Sequence, residues 1–237
     1  MLTRDDVTVP DAMDSYREVR DCELRWVGFK DVGLPFARLR ELAEAIHADG
    51  RKVALEVVSL DRESELRSAE AALAIGVDLL MGGVHPDAVL PLVSATNVLY
   101  YPFPGRVVDH PSVLEGPIDA IVTSARALSA RRGVHGLDLL AYRFDGDVPR
   151  LIEEVVDAAC GPVVVAGSVE SDARILSVCR AGAWGFTVGG AIFDRAFPAP
   201  ATTVGQVQHV LDRLHAARTG WIEAASGHPA GTPPLAG

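Results

Sequence analysis

Two charged residues stand where apolar strands should carry none. Lys30 closes the run Leu24–Phe29, and Glu56 interrupts the run Val53–Val58. Alternate residues of a strand share a face. Trp26, Gly28 and Lys30 therefore form one set, and Ala54, Glu56 and Val58 another. With both sets turned inward, Lys30 and Glu56 meet. A lysine beside a carboxylate can act as an acid, a base or an imine-forming amine. The plainer alternative is a structural ion pair filling the interior.

A second pattern spans residues 161–194. The apolar runs Pro162–Ala166 and Trp184–Val188 end in Gly167-Ser168 and Gly189-Gly190. Two neighbouring parallel strands with such ends expose backbone N–H groups in one place, and a helix opening after the second adds partial positive charge. That cradle suits a phosphate, with Gly167, Ser168, Gly189 and Gly190 as its binding residues. The competing explanation is that these glycines only make tight turns.

Further polar groups fall at strand ends or on loops. Arg143 follows the run Leu137–Tyr142, where it can orient a carboxylate or hydroxyl of a substrate. Arg106 and His110 lie in the Pro/Gly-rich stretch Pro102–Gly116, a loop long enough to bind or cover a substrate. Asp138 comes early in its run, away from the strand end expected to carry chemistry. No His, Cys or acidic residues show metal-ligand spacing, so neither a metal nor any other cofactor is expected, although Mg2+ held by Glu56 and waters stays open.

The elements that must position these residues follow a regular cadence. Helix, glycine and apolar strand recur at Gly50, Gly76, Gly133, Gly161 and Gly182. Strands alternating with helices at this spacing form a parallel sheet, and near-continuous apolar strands have both faces covered. The count of βα units approaches eight and the glycine-rich ends come last, which favours a (β/α)8 TIM barrel over an open doubly wound sheet. Residues 1–218 are expected to form one barrel domain, and residues 219–237, rich in Gly, Pro and Ala, a flexible tail. Only the stub Met1–Thr3 is available as strand 1. That strand is expected to be very short, or the native chain to start upstream.

Composition narrows the partners. The 237 residues carry a net charge of -10, and no basic patch is visible, which argues against nucleic acid and anionic membranes. No apolar run approaches the roughly 18 residues of a membrane span. Three scattered cysteines and a polar, acidic N-terminus indicate a reduced, cytoplasmic setting. The sequence leaves a homodimer open.

At Gly167-Ser168 and Gly189-Gly190 the chain resembles the ribulose-phosphate-binding barrel superfamily; most of the chain follows the pattern, and Val163–Phe193 is motif-like. The resemblance implies a phosphorylated small metabolite held at strands 7 and 8. Gly28-Phe29-Lys30-Asp31 also looks like the lysine-bearing strand of the acylmannosamine-phosphate epimerases. Ala166, however, stands where those enzymes carry an acidic residue. The expected activity is that of an isomerase or epimerase moving protons next to a carbonyl, with Lys30 and Glu56 as catalytic residues. A Schiff-base lyase or aldolase using Lys30, and a non-catalytic barrel binding a phosphorylated metabolite, remain as alternatives.

Overall fold

A computed structural model describes residues 1–226, with side chains through residue 217. The chain opens on β1 (Thr3–Arg4) and β2 (Val7–Thr8), followed by α1 (Ala12–Glu18), β3 (Trp26–Lys30), α2 (Phe36–Ala48) and β4 (Lys52–Val57). Next come α3 (Arg62–Ile75), β5 (Leu79–Gly82), α4 (Pro86–Val93), β6 (Leu99–Tyr101), β7 (Arg106–Val108) and β8 (Val113–Glu115). The C-terminal half holds α5 (Ile118–Ser129), β9 (Leu137–Leu139), a 3-10 turn at Ala141–Arg143, α6 (Val148–Ala158) and β10 (Val163–Val165). It finishes with α7 (Asp172–Arg180), β11 (Gly185–Phe186), α8 (Gly190–Phe193) and α9 (Thr203–Ser226).

Local chemistry sets the helix limits. The Asp61 side chain accepts from the Ser64 N–H to open α3, and Gly76 closes it in the left-handed conformation. Asp147 and Ser171 cap α6 and α7 by the same device. Pro149 sits in the first turn of α6, where its missing N–H costs nothing.

The α/β fold has two parallel sheets. One runs in the order β3-β4-β5-β6 and the other β11-β10-β9. Helices cover their outer faces through two apolar layers, one around Phe29, Leu42 and Leu55, the other around Leu137, Leu151 and Val165. A smaller cluster of Ala54, Leu79, Met81, Tyr101 and Val164 fills the space between the sheets. These residues belong to the inward parity of their strands, so Lys30, Glu56 and Asp138 point into the same space. The register places Lys30 opposite Glu56, Glu56 opposite Met81, and Asp138 opposite Val164.

The structure differs from the expected closed eight-stranded barrel in two respects. First, no ladder joins the two sheets among the described residues. Bonds such as His135 N–H to the Tyr100 carbonyl (3.0 Å) and Asp138 N–H to the Pro102 carbonyl (3.2 Å) bridge one seam. Second, a short parallel strand 1 is replaced by the antiparallel pair β1–β2, because Asp5 and Asp6 both take positive φ and turn the chain back. Leu2 N–H still bonds the Gly28 carbonyl at 2.7 Å, so the N-terminus lies along β3. The final helix, α9, runs to Ser226, and residues 227–237 of the expected tail lie outside the described residues.

The predicted loop Pro102–Gly116 contains the antiparallel hairpin β7–β8. The run expected as a strand to Tyr142 stops at Leu139 and tightens into the 3-10 turn.

Candidate active site

Lys30 and Glu56 meet as their parity requires. Lys30 Nζ lies 3.2 Å from Glu56 Oε1 and 2.8 Å from Asp6 Oδ1. All three side chains are buried. Burial alone would lower the lysine pKa, but the carboxylates of Glu56 and Asp6 outweigh it and hold the ammonium above its ordinary value. Lys30 is therefore a cation at neutral pH, not a free amine.

Asp6 links this pair to a second cation. Its Oδ1 also receives Arg143 Nη2 at 3.1 Å, and its Oδ2 accepts the Ser112 N–H at 2.8 Å. Arg143 reaches back to the Ser112 carbonyl at 3.3 Å. Burial works to raise the Asp6 carboxyl, yet the Lys30 ammonium, backed by Ser112 and Arg143, holds it below the usual carboxylate range. The N-terminal turn, the β7–β8 hairpin and the 3-10 turn thus converge over the ends of β3 and β4.

Asp138 completes the cluster from β9. It is fully buried, and neither carboxylate oxygen has a hydrogen-bond partner among the described residues. Desolvation pushes its carboxyl well above the ordinary value, and the Glu56 charge adds to the effect. Lys30 and Arg143 thus face Asp6 and Glu56, with the desolvated Asp138 beside them.

The Gly167 and Gly189 turns lie at the ends of β10 and β11. Gly167 and Ser168 take φ of 75° and 55°. A methyl group on Gly167 would sit 2.7 Å from Arg143 Cγ, so only glycine lets the arginine pass so close. Arg174 pins the turn by donating to the Ser168 carbonyl at 2.6 Å, and its guanidinium covers the Tyr142 ring. No N–H of Gly167, Ser168, Gly189 or Gly190 donates to another described residue. The helix expected to add charge here, α8, is only Gly190–Phe193 and too short to supply a macrodipole. Arg4 and Asp194, paired at 2.6 Å, stand beside α8, and Arg143 and Arg174 stand beside Gly167 and Ser168.

Arg106 and His110 do not join the cluster. Arg106 is exposed and pairs with Glu115 across the β7–β8 hairpin, and His110 is exposed at its turn. A cleft of about 580 Å³ lies beside Arg143, between Val113–Gly116 and Tyr142–Asp145. Among the described residues no three His, Cys, Asp or Glu side chains converge as metal ligands. No helix there is long and apolar enough to cross a membrane.

Sequence reasoning missed Asp6 and set Asp138 aside. The only sequence signal for Asp6 is the Asp5-Asp6 pair, a turn-forming dipeptide beside the first strand. In the sequence, Asp138 falls early in an apolar run that continues to Tyr142, which sets it away from the expected strand end. Since β9 stops at Leu139, Asp138 is next to a strand end after all.

No family model and no curated protein matches the chain. Solved structures do match. A mandelate oxidase variant holding an FMN monooxide adduct covers 92% of this chain and 72% of its own, with TM-score 0.63 and 16% identity. The BexX/CysO complex of Amycolatopsis orientalis covers 96% and 89%, at 0.57 and 20%. The glycerol uptake operon antiterminator regulatory protein of Listeria monocytogenes covers 74% and 86%, at 0.54 and 16%. At these identities the likeness establishes an α/β fold with barrel neighbours, and it singles out no ribulose-phosphate-binding relative.

Two sequence expectations are corrected. The enzyme neighbours named as oxidases, some with FMN adducts, are neither isomerases nor epimerases, and they are not cofactor-free. The physical reason is that glycine-rich strand ends serve a cofactor phosphate as readily as a substrate phosphate. The Schiff-base lyase alternative finds no support among these neighbours.

Proposed function

We propose that this chain is a single-domain barrel enzyme of oxidoreductase type that binds flavin mononucleotide through its phosphate. One observation carries the reading: the N–H groups of Gly167, Ser168, Gly189 and Gly190, on two adjacent turns, donate to no other described residue. Successive N–H groups in left-handed turns form an anion-binding concavity. Gly167 and Ser168 have that conformation. These N–H groups would receive the phosphate end of the cofactor, with Arg143 beside Gly167 and Arg4, paired with Asp194, beside Gly190. Bound there, the flavin supplies a two-electron acceptor.

The chain's own residues supply the rest. Lys30 and Arg143 place two positive charges at the strand ends. Asp138 holds a proton at its carboxyl in a water-poor interior, where such a group acts as an acid. The apolar cluster around Met81 and Tyr101 closes the site from below and keeps water out.

The experiment compares FMN with riboflavin, which lacks the phosphate, by thermal shift. A ligand at 100 times its Kd stabilises by about 2.7 kcal/mol. For a chain of this length that raises Tm by roughly 5–11 °C. FMN is expected to give that rise and riboflavin none. Equal effects from the two, or none from either, would refute the phosphate site.

A further inference from the structure

We propose that Lys30, Arg143 and the Ser112 backbone form a binding site for a small carboxylate, and that Asp6 occupies it as a tethered stand-in. This deepens the reading of the cluster as a reaction centre, on which its role in turnover rests; its test needs no flavin.

Three donors converge on one carboxylate: Lys30 Nζ at 2.8 Å, Arg143 Nη2 at 3.1 Å and Ser112 N at 2.8 Å. The donors come from three separate segments, whereas the acceptor comes from a two-residue turn. An ion pair whose task was only to fill the interior would satisfy its donors. Here two donors beside Asp6 are left over: Ser112 Oγ and Arg143 Nε are buried and have no partner among the described residues. Asp138, which feels the charges of Asp6 and Lys30, is likewise unpartnered through both oxygens. Such groups are costly to leave unmade. Their surplus indicates a guest larger than one aspartate side chain: a carboxylate to take the donors, with a hydroxyl to meet Asp138.

The tether is short. Asp6 sits in a turn whose flanking strands pair through only two residue pairs, Thr3 with Thr8 and Arg4 with Val7. Asp5 and Asp6 both hold positive φ, a conformation that aspartate adopts more readily than most residues other than glycine. Among the described residues Asp5 makes no hydrogen bond or ion pair. The site also adjoins the cleft beside Arg143, which offers a route in from outside. The guest would displace the Asp6 carboxylate and take over its charge, leaving the net charge of the cluster unchanged.

Asp6→Gly removes the carboxylate and suits the positive φ. Removing one member of a buried pair is strongly destabilising, so Asp6→Gly is expected to lower Tm by about 6–20 °C. Acetate, added in rising concentration, is expected to restore at least half of that loss. Acetamide, its neutral isostere, is expected to restore none. Asp5→Gly and the unaltered chain are expected to respond to acetate more weakly than Asp6→Gly, because acetate must there displace the tethered carboxylate, and not to acetamide. Equal responses to acetate and acetamide, or an Asp6→Gly melt matching that of the unaltered chain, would overturn the proposal. If Asp6→Gly does not fold in buffer alone, refolding reads the same property: recovery with acetate but not acetamide supports the site, and failure with both overturns it. Flavin is absent from every arm, so failure of the FMN test leaves this one unaffected.

Discussion

Replacing Asp138 with asparagine tests whether the interior of this protein holds a carboxylic acid or a carboxylate. Asp138 is fully buried, and its carboxyl titrates well above the ordinary value of 3.8. In any pH range above the unfolded value and below the folded one, the native state binds one more proton than the unfolded chain. Stability then falls as pH rises, by up to about 1.4 kcal/mol per pH unit for that single proton. The comparison runs from pH 5 to 6, where the buried Met1 amino group, pushed down to about 6 by desolvation, titrates in both proteins and cancels in the difference. Asp6, Asp49, Asp61 and Asp78 are all held below 3.8 in the folded state, so their stabilising contributions are lost only at lower pH. Asparagine has nearly the same shape and no proton to exchange. The unaltered chain should therefore lose up to about 1.4 kcal/mol more than Asp138→Asn between pH 5 and 6, a relative Tm change of roughly 3–6 °C. Thermal melts of both proteins across that range provide the measurement. Parallel profiles would mean that Asp138 is ionised in the folded protein and that a counter-charge balances it.

Two further substitutions probe the same centre. Lys30→Met leaves Asp6 and Glu56 buried without their shared cation, and a loss of about 3–5 kcal/mol in urea unfolding is expected; a loss below about 1 kcal/mol would show that the pair is not buried as described. Gly167→Ala forces a left-handed alanine against Arg143 Cγ and is expected to cost about 1–3 kcal/mol. It should also abolish the FMN-dependent rise in Tm, and a retained rise would separate the flavin from this turn.

Much of this architecture is legible in the sequence because it is local. The inward parity of Lys30 and Glu56 follows from alternation along two strands, and the helix ends follow from Gly76, Gly50 and the capping residues. What the sequence conceals is long-range or depends on where a strand stops. Asp6 reaches Ser112 across 106 positions of chain, a contact that no periodicity encodes. The place of Asp138 depends on β9 ending at Leu139, although Leu140 and Ala141 continue the apolar run and are themselves buried. The same 3-10 turn swings Arg143 toward Asp6, whereas a strand running on to Tyr142 would have carried it farther along the sheet direction. The reaction class was the least legible feature, since a charged pair and glycine-rich turns are common to several chemistries.

The split between the two sheets gives the ion cluster a mechanical role. Lys30 stands on β3, an outer strand of the four-stranded arc; Asp138 stands on β9, an outer strand of the three-stranded arc, with Arg143 just beyond it. Asp6 belongs to neither arc and holds Lys30 with one oxygen while the same oxygen holds Arg143. The carboxylate is thus a rivet between two half-shells whose backbones share few bonds. A small slip of one shell against the other stretches the rivet while leaving every parallel ladder intact. Coulomb attraction changes steeply at such short separations. Asp6, Lys30 and Arg143 therefore tie the two half-shells together at the mouth of this protein.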